Sequence, residues 1–574
     1  YNCTGLRNVT IPDSVTSIGE RAFDGCTGLA SVTIGSGVTS IGLNVFYNCT
    51  GLTTVNWNAT ACTSAGSKNY PIFNGRTNLT SVNIGNNVIT IPSYAFDGCT
   101  GLTSVIIPDS VTSIGEDTFK GCSSLESITI PRAGVTSSSK YQYPLGYLFG
   151  TSSYTGGVAT EQYYYGIYTS ATYDTYYIPA SLKSVTVTGG NIINGAFYGC
   201  TGLTSVTIGN GVKSIGYEAF SGCRGLKSVV IPDSVTSIGQ EAFYNCTGLT
   251  SVTIGNGVKS IGHEAFRGCR GLKSVVIPDS VTSIGSNAFN NCTGLVSITI
   301  PDSVTSIDNY AFYGCTGLTS VTIGNSVKSI GLGAFKGCSS LKSITIPFVG
   351  ASKTASKSYE RVFGYIFGYE TTTSSSSTVS GAINQYYDYW YYIPSSLKSV
   401  VISDGATAIP NYAFSGCTGL TSITIPDSVT SIGERAFYDC NGLTSITIPD
   451  SVTSIGQSTF SGCIGLTSVT IPNSVTSIGS SAFSGCIGLT SVTIPNSVTS
   501  IGSSAFYNCT GLRNVTIPDS VTSIGSSAFE NCSRLTRIDF TGTIAQWNKI
   551  SRGSKWDYGN PLYTICCTDG TINK

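Results

Sequence analysis

The sequence carries 21 cysteines and a single histidine, His263. Thiols can form disulfides, hold zinc or attack a substrate, and a neighbouring histidine or carboxylate can move the proton. Spacing decides among these chemistries. Cys200, Cys223, Cys246, Cys269, Cys292, Cys315 and Cys338 lie 23 residues apart, as do the cysteines from Cys417 to Cys532. Side chains stacked at one position of a repeat all point the same way, and neighbours then meet poorly in disulfide geometry. Zinc needs clustered ligands at short spacings, and there is no Cys-x-x-Cys pair. The ladder therefore reads as small buried thiols, and any disulfide is expected to involve Cys62, Cys566 or Cys567, which lie off it. His263 occupies a variable, exposed position where a near-identical stretch has Tyr217. With no recurring cluster of acids, bases or nucleophiles, the chain is expected not to be an enzyme. The recurring Pro-Asp-Ser, with Asp233, Asp279 and Asp302, invites calcium, but Asn and Gly replace the Asp elsewhere and the Gly-Gly-x-Gly-x-Asp repeat is missing. That makes it a turn residue. No metal and no cofactor are expected.

These residues are positioned by one unit, LKSVVIPDSVTSIGQEAFYNCTG at residues 226–248, which begins again at Leu249 and fills most of the 574 residues. A fixed period of this length signals a solenoid. Leu226-x-x-Val229-x-Ile231 ends in a strand period of two, Pro232-Asp233-Ser234 makes a turn, and Val235-x-x-Ile238 before Gly239 is a second short extended segment. One coil has too little apolar surface to offset the entropy of ordering its backbone, roughly 1–2 kcal/mol per residue, so each must bury its apolar row against the next. The phenylalanines follow that logic: 20 of 23 fall at one position of the unit, from Phe23 through Phe149, Phe243 and Phe367 to Phe529. They predict a stacked aromatic spine.

The Leu-x-x-Val-x-Ile opening and the closing Cys resemble a leucine-rich repeat. The fuller text, Ile-Pro-x-Ser-Val-x-x-Ile-Gly-x-x-Ala-Phe-x-x-Cys, is similar to the BspA-like leucine-rich repeats of bacterial and protist surface proteins. Residues 414–437, 460–483 and 506–529 carry it, and the resemblance covers nearly the whole chain. It implies a mainly β solenoid, a leucine-rich-repeat right-handed superhelix of about 20 coils of 23 residues. It also implies a non-enzymatic protein, secreted or at the cell surface, that mediates adhesion, because BspA-like proteins are implicated in attachment to matrix proteins such as fibronectin and fibrinogen and in contacts between cells.

Two intervals break the period: Leu125 to Leu182 and Leu341 to Leu397 span 57 and 56 residues. Both contain the same sub-text, Gly146-Tyr147-Leu148-Phe149-Gly150 against Gly364-Tyr365-Ile366-Phe367-Gly368, then Gln162-Tyr163-Tyr164 against Gln385-Tyr386-Tyr387. Each reads as one coil with an inserted arm, at about 132–178 and 348–393, within a solenoid of residues 1–535. Insertions in repeat arrays collect on one face and are often functional. Tyr177 and Tyr392, shared by both arms, are expected to pack the arm on the solenoid. The unshared Tyr165, Tyr168 and Tyr173 in the first arm, and Tyr389 and Trp390 in the second, are the candidate binding residues, as amphipathic anchors. Between Leu52 and Leu79 the period stretches to 27, and Arg76 replaces the ladder Cys, so Arg76 should reach solvent. Residues 536–574, with Trp547 and Trp556, read as a C-terminal cap covering the last apolar row.

Thirty basic residues balance 30 acidic ones, only 10% of the chain in all. No field exists to steer nucleic acid or an anionic membrane. Apolar runs are a few residues long, so no membrane-spanning segment is expected. The chain contains no Met and opens in mid-repeat at Tyr1; a processed or truncated fragment is expected. The strands expose Ser and Thr, as at Ser205 and Thr207, or Ser422 and Thr424, which gives a solvated hydroxyl face or an array recognising glycans or ice. The expected partner is a protein or glycan at the cell surface. Self-association into fibres or a sheath is the alternative.

Overall fold

Alternation of Ser or Thr with Val or Ile makes each coil open as a strand with one face inward, and identical text in successive coils sets the register. Ser228–Ile231 pairs in parallel with Ser251–Ile254 so that Ser228 meets Ser251, Val229 meets Val252 and Ile231 meets Ile254. The computed structural model describes residues 1–133, 141–142, 144–166, 171–371, 383–386 and 389–574. These form a β-solenoid of turns of about 23 residues, divided into two units: Tyr1–Val281 with Ala288–Leu295, and Thr282–Asn287 with Val296–Lys574.

In the first unit the parallel ladder runs from Asn8–Thr10 through Ser31–Ile34 and Thr54–Trp57 to Ser274–Val276. Two-residue strands such as Ser17–Ile18 and Ser40–Ile41 form a second, narrower ladder after the turn. In the second unit the narrow ladder has two parts, Ser283–Ile284 to Ser329–Ile330 and Ala408–Ile409 to Ser551–Arg552. Val229, Ile231, Val235, Ile238, Ala242, Phe243 and Cys246 are all buried, as are most of their counterparts along both units, the first coil being the main exception with Ala22 exposed and Phe23 half-buried.

The phenylalanines stack as the period predicts. Rings from Phe197 to Phe289 lie 4.9–5.4 Å apart with interplanar angles of 2–7°. Those from Phe414 to Phe529 lie 5.1–5.5 Å apart. The cysteines do more than fill space. Most ladder thiols donate to the carbonyl of the preceding coil's Phe, as Cys246 Sγ does to Phe220 O at 3.1 Å and Cys486 Sγ to Phe460 O at 3.2 Å. The residue before each ladder Cys is left-handed, with φ of 74° at Gly222, 54° at Asn245 and 55° at Asp439, which is why that position is Gly, Asn or Asp.

All 21 cysteines are free thiols, including Cys62, Cys566 and Cys567. Cys62 is buried and donates to Ser64 O. Arg76 is half-buried, with Nε on Asn74 O, so the guanidinium is not sealed in the core. Residues 203–248 and 249–294 differ at five positions, and two of these hold buried side chains, Ser221 at 3% and Asn290 at 7% exposure.

Past Leu535 the parallel ladder continues through Arg537–Phe540 and Thr564–Cys567, and ends on the antiparallel strand Gly570–Asn573. A helix at Ile544–Lys549, with a Thr543–Gln546 capping box, sets Trp547 edge-on to Phe540 and to Trp556. Trp556 in turn meets the end of the Phe spine at Phe529.

Candidate functional site

Each arm interrupts its coil around the spine position. In the first unit Leu145–Leu148 is a turn of 3₁₀ helix, and in the second Phe363–Phe367 is its counterpart. Each helix faces two coils. Phe119 N and Phe335 N donate to Leu148 O and Ile366 O on one side, while Leu145 N and Phe363 N donate to Ala196 O and Ala413 O on the other. Phe149 and Phe367 therefore hold the spine position toward the preceding coil, and Leu145 and Phe363 hold it toward the next. Phe363, off the 23-residue count, lies 5.0 Å from Phe414.

The chain then runs into antiparallel strands. The first arm pairs Gly157–Gly166 with Ala171–Pro179, and Tyr141–Gln142 adds to the former. The second pairs Tyr389–Tyr391 with both Tyr369–Thr371 and Ile383–Tyr386. Because an arm replaces the Cys loop, the next coil lacks a donor. In a regular rung the N–H before the Cys donates to the residue after the next coil's Phe, as Gly222 N does to Tyr244 O at 2.8 Å. Here a glutamine side chain substitutes. Gln162 Nε2 donates to Tyr198 O at 2.9 Å and to Cys200 Sγ, and its Oε1 accepts from Gly146 N. Gln385 makes the same set with Ser415 O, Cys417 Sγ and Gly364 N. Both glutamines are fully buried. The shared sub-text contained them, but their role is visible only once the missing backbone N–H is known.

The tyrosines that seat the arms are Tyr176 and Tyr391, 4% and 0% exposed, one residue before those expected. They lie against Gly146 and Gly364, where any Cβ would collide with the ring. Tyr177 and Tyr392 are half-buried instead; Lys336 Nζ sits 4.7 Å from the Tyr392 ring centre. Strand alternation puts one residue of each Tyr-Tyr pair inside, and the insertion's length hides which.

Of the candidate binding residues, Tyr173 stands out from its strand, 61% exposed, with its Cα opposite Tyr163. Tyr165 lies at the end of its strand, opposite Ala171 and beside Gln142. Tyr168 lies outside the described residues. Tyr389 and Trp390 are half-buried. Tyr389 stacks on Tyr359 at 4.7 Å and meets Tyr369 edge-on at 5.0 Å, which makes it part of the arm's own aromatic cluster as well as of its surface. Trp390 lies between Glu370 and Asn384 on the neighbouring strands.

The structure offers little reactive chemistry. Burial pushes the Cys200 and Cys292 thiols up to about 12, far from a thiolate at neutral pH. Among the described residues Glu241, His263 and Glu264 bring three ligand atoms within 4.8 Å of one another, but Arg267 Nη1 bonds Glu264 Oε1 at 2.8 Å and answers that charge. The Asp of Pro-Asp-Ser has a structural partner: Asp233 Oδ1 accepts from Asn256 N and Asp302 Oδ1 from Asn325 N, both in the next coil's turn. No helix among the described residues is long and apolar enough to cross a membrane.

A repeat family described as the BspA type leucine-rich repeat region matches six times, over residues 1–71, 69–148, 169–295, 259–365, 384–486 and 453–551. No curated protein matches the chain. Similar solved structures include a leucine-rich cell surface protein from Faecalibacterium prausnitzii, 29% identical over 70% of this chain and 99% of that one, with a TM-score of 0.23. A leucine-rich repeat protein from Bacteroides ovatus is 22% identical over 93% and 92% of the two chains, with a TM-score of 0.26. One from Eubacterium ventriosum is 21% identical over 70% and 95%, with a TM-score of 0.28.

Proposed function

Because the chain belongs to the family of BspA-type leucine-rich repeat regions, we propose that it is a non-enzymatic extracellular surface protein that mediates adhesion or protein–protein binding, to host matrix proteins or to other cells. The observation that carries this reading is the construction of the arms. A buried glutamine and a buried tyrosine lock each arm to the rungs, while the first arm holds Tyr173 in solvent. An aromatic side chain presented on a rigid support loses little entropy on contact, which is what a binding hot spot requires.

The experiment is surface plasmon resonance of the purified chain over immobilised fibronectin, immobilised fibrinogen, intact host cells and the chain itself. Saturable binding to a matrix protein or to cells supports the reading. Binding only to itself would favour the sheath-forming alternative, and binding to none of them contradicts a role in adhesion.

A further inference from the structure

The second unit contains an open sheet edge beside the start of its arm. In regular coils the narrow strands pair on both sides, and the residue before each strand donates its N–H to the preceding coil, as Thr430 N does to Thr407 O. The run after Ser329–Ile330 is different. Its next coil has no narrow strand; instead Ala351 and Ser352 turn back to bond Ile330 and bridge Ser329 antiparallel. The ladder begins afresh at Ala408–Ile409, which pairs only with the following Ser431–Ile432. The N–H of Thr407 that would face a preceding strand has no partner among the described residues. At the next such donor stands Pro410, where regular coils have Gly with its N–H on the preceding Ile carbonyl. Proline at an edge strand limits unwanted pairing to a short stretch. The comparable start at Thr90–Ile91, followed by Pro92, is covered by a bridge from Ala61. At Ala408 no strand or bridge among the described residues covers the edge.

In front of that edge lie two adjoining hollows of about 500 and 260 Å³, sharing Arg361, Ala408 and Pro410. Phe348 and Val349 make the smaller one's apolar wall, and Lys353 stands at its rim. Arg361 is held in place by its Nε on Ala355 O at 2.7 Å, which leaves the outer face of its guanidinium free to bind. Lys353 and Arg361 are exposed, and among the described residues neither forms an ion pair; the nearby Glu360 carboxylate is taken by Lys357. An unpaired strand edge selects extended backbone, two cations select carboxylates, and an apolar wall takes the alternate side chains. The geometry points to an extended acidic segment of a partner protein docking along Thr407–Ile409, with its carboxylates on Lys353 and Arg361. This deepens the protein-binding reading and rests on it.

The test is fluorescence anisotropy on the full chain with a labelled hexapeptide alternating glutamate and valine, against a lysine–valine counterpart and an N-methylated glutamate–valine version. Saturable binding of the acidic peptide alone, weakened about tenfold by Lys353→Gln with Arg361→Gln and also by N-methylation, is the expected result. Lys353→Gln by itself, at an exposed position, should give a smaller loss with unchanged melting. Binding that free glutarate abolishes and N-methylation leaves intact would show an anion site without strand pairing and overturn the proposal. So would equal binding of the basic peptide, or a double variant that binds as well as the parent. Tyr173→Ser should leave the peptide affinity unchanged, and failure of the acidic peptide to bind a chain that still binds a matrix protein refutes this inference alone.

Discussion

Gln385→Leu removes the side chain that stands in for a whole backbone loop while keeping nearly the same volume. In the parent, Oε1 accepts from Gly364 N at 2.7 Å, and Nε2 donates to Ser415 O at 3.1 Å and to Cys417 Sγ at 3.4 Å. The site is 1% exposed, so water cannot replace these partners. Leucine would leave at least the Gly364 N–H and the Ser415 carbonyl buried without a partner, each costing about 1–3 kcal/mol. The sulfur contact is weaker, and the apolar gain of leucine offsets part of the loss. The expected destabilisation is about 3–4 kcal/mol, large for one residue. It should be local, because coils couple mainly to their neighbours. Urea unfolding followed by hydrogen exchange and mass spectrometry would show it: the Gly364 amide and the strand Tyr389–Tyr391 should exchange faster, while rungs near Phe483 stay protected. Gln457→Leu, at an exposed position of a regular coil, is the control and should change stability by less than about 0.5 kcal/mol. If Gln385→Leu proves as stable as that control, the glutamine does not anchor the arm.

Phe243→Ala opens a cavity between rings 5.1 and 5.2 Å away and should cost about 3–5 kcal/mol, with melting split into two transitions. A bulky maleimide should label Cys3, Cys566 and Cys567 in the native chain and the ladder cysteines only after denaturation, because all ladder thiols except Cys3 are buried; rapid native labelling of Cys246 would contradict the solenoid core. Burial pushes the Asp97 carboxyl up to about 6, against an opposing pull from Lys120. A folded-state value above the unfolded one means the native chain binds the proton more tightly, so this group costs stability at neutral pH and the cost fades as pH falls through 6 toward 4. Asp97→Asn should therefore raise stability at pH 7.5 by about 1–3 kcal/mol and change it little at pH 4, as measured by urea unfolding at both values.

The period, the Phe spine and the buried thiols were legible because a repeat states its core many times over, and Phe243 or Cys246 can be checked against its counterparts in other coils. The arms occur twice, and two copies constrain less. Their shared text exposed Gln162 and Gln385 but could not say that a side-chain amide replaces a backbone N–H, since that depends on what the neighbouring coil lacks. The identity of Tyr176 and Tyr391 as the seats depended on strand parity across an insertion. The spacing marks Tyr389 as an outward anchor, but it stacks on Tyr359, a residue 30 positions away with no periodic signal. The donor role of the ladder thiols toward the Phe carbonyls was equally invisible, because composition shows a small apolar residue and geometry alone shows a hydrogen bond.

The most direct test of the adhesion account replaces Tyr165, Tyr168, Tyr173, Tyr389 and Trp390 together by Ser and measures binding to the matrix protein or cell surface that the parent recognises. Loss of at least about tenfold in affinity, with the melting of regular coils unchanged, is the result expected when aromatic anchors carry the contact. Full binding by this variant would contradict it and take the arms out of the recognition surface.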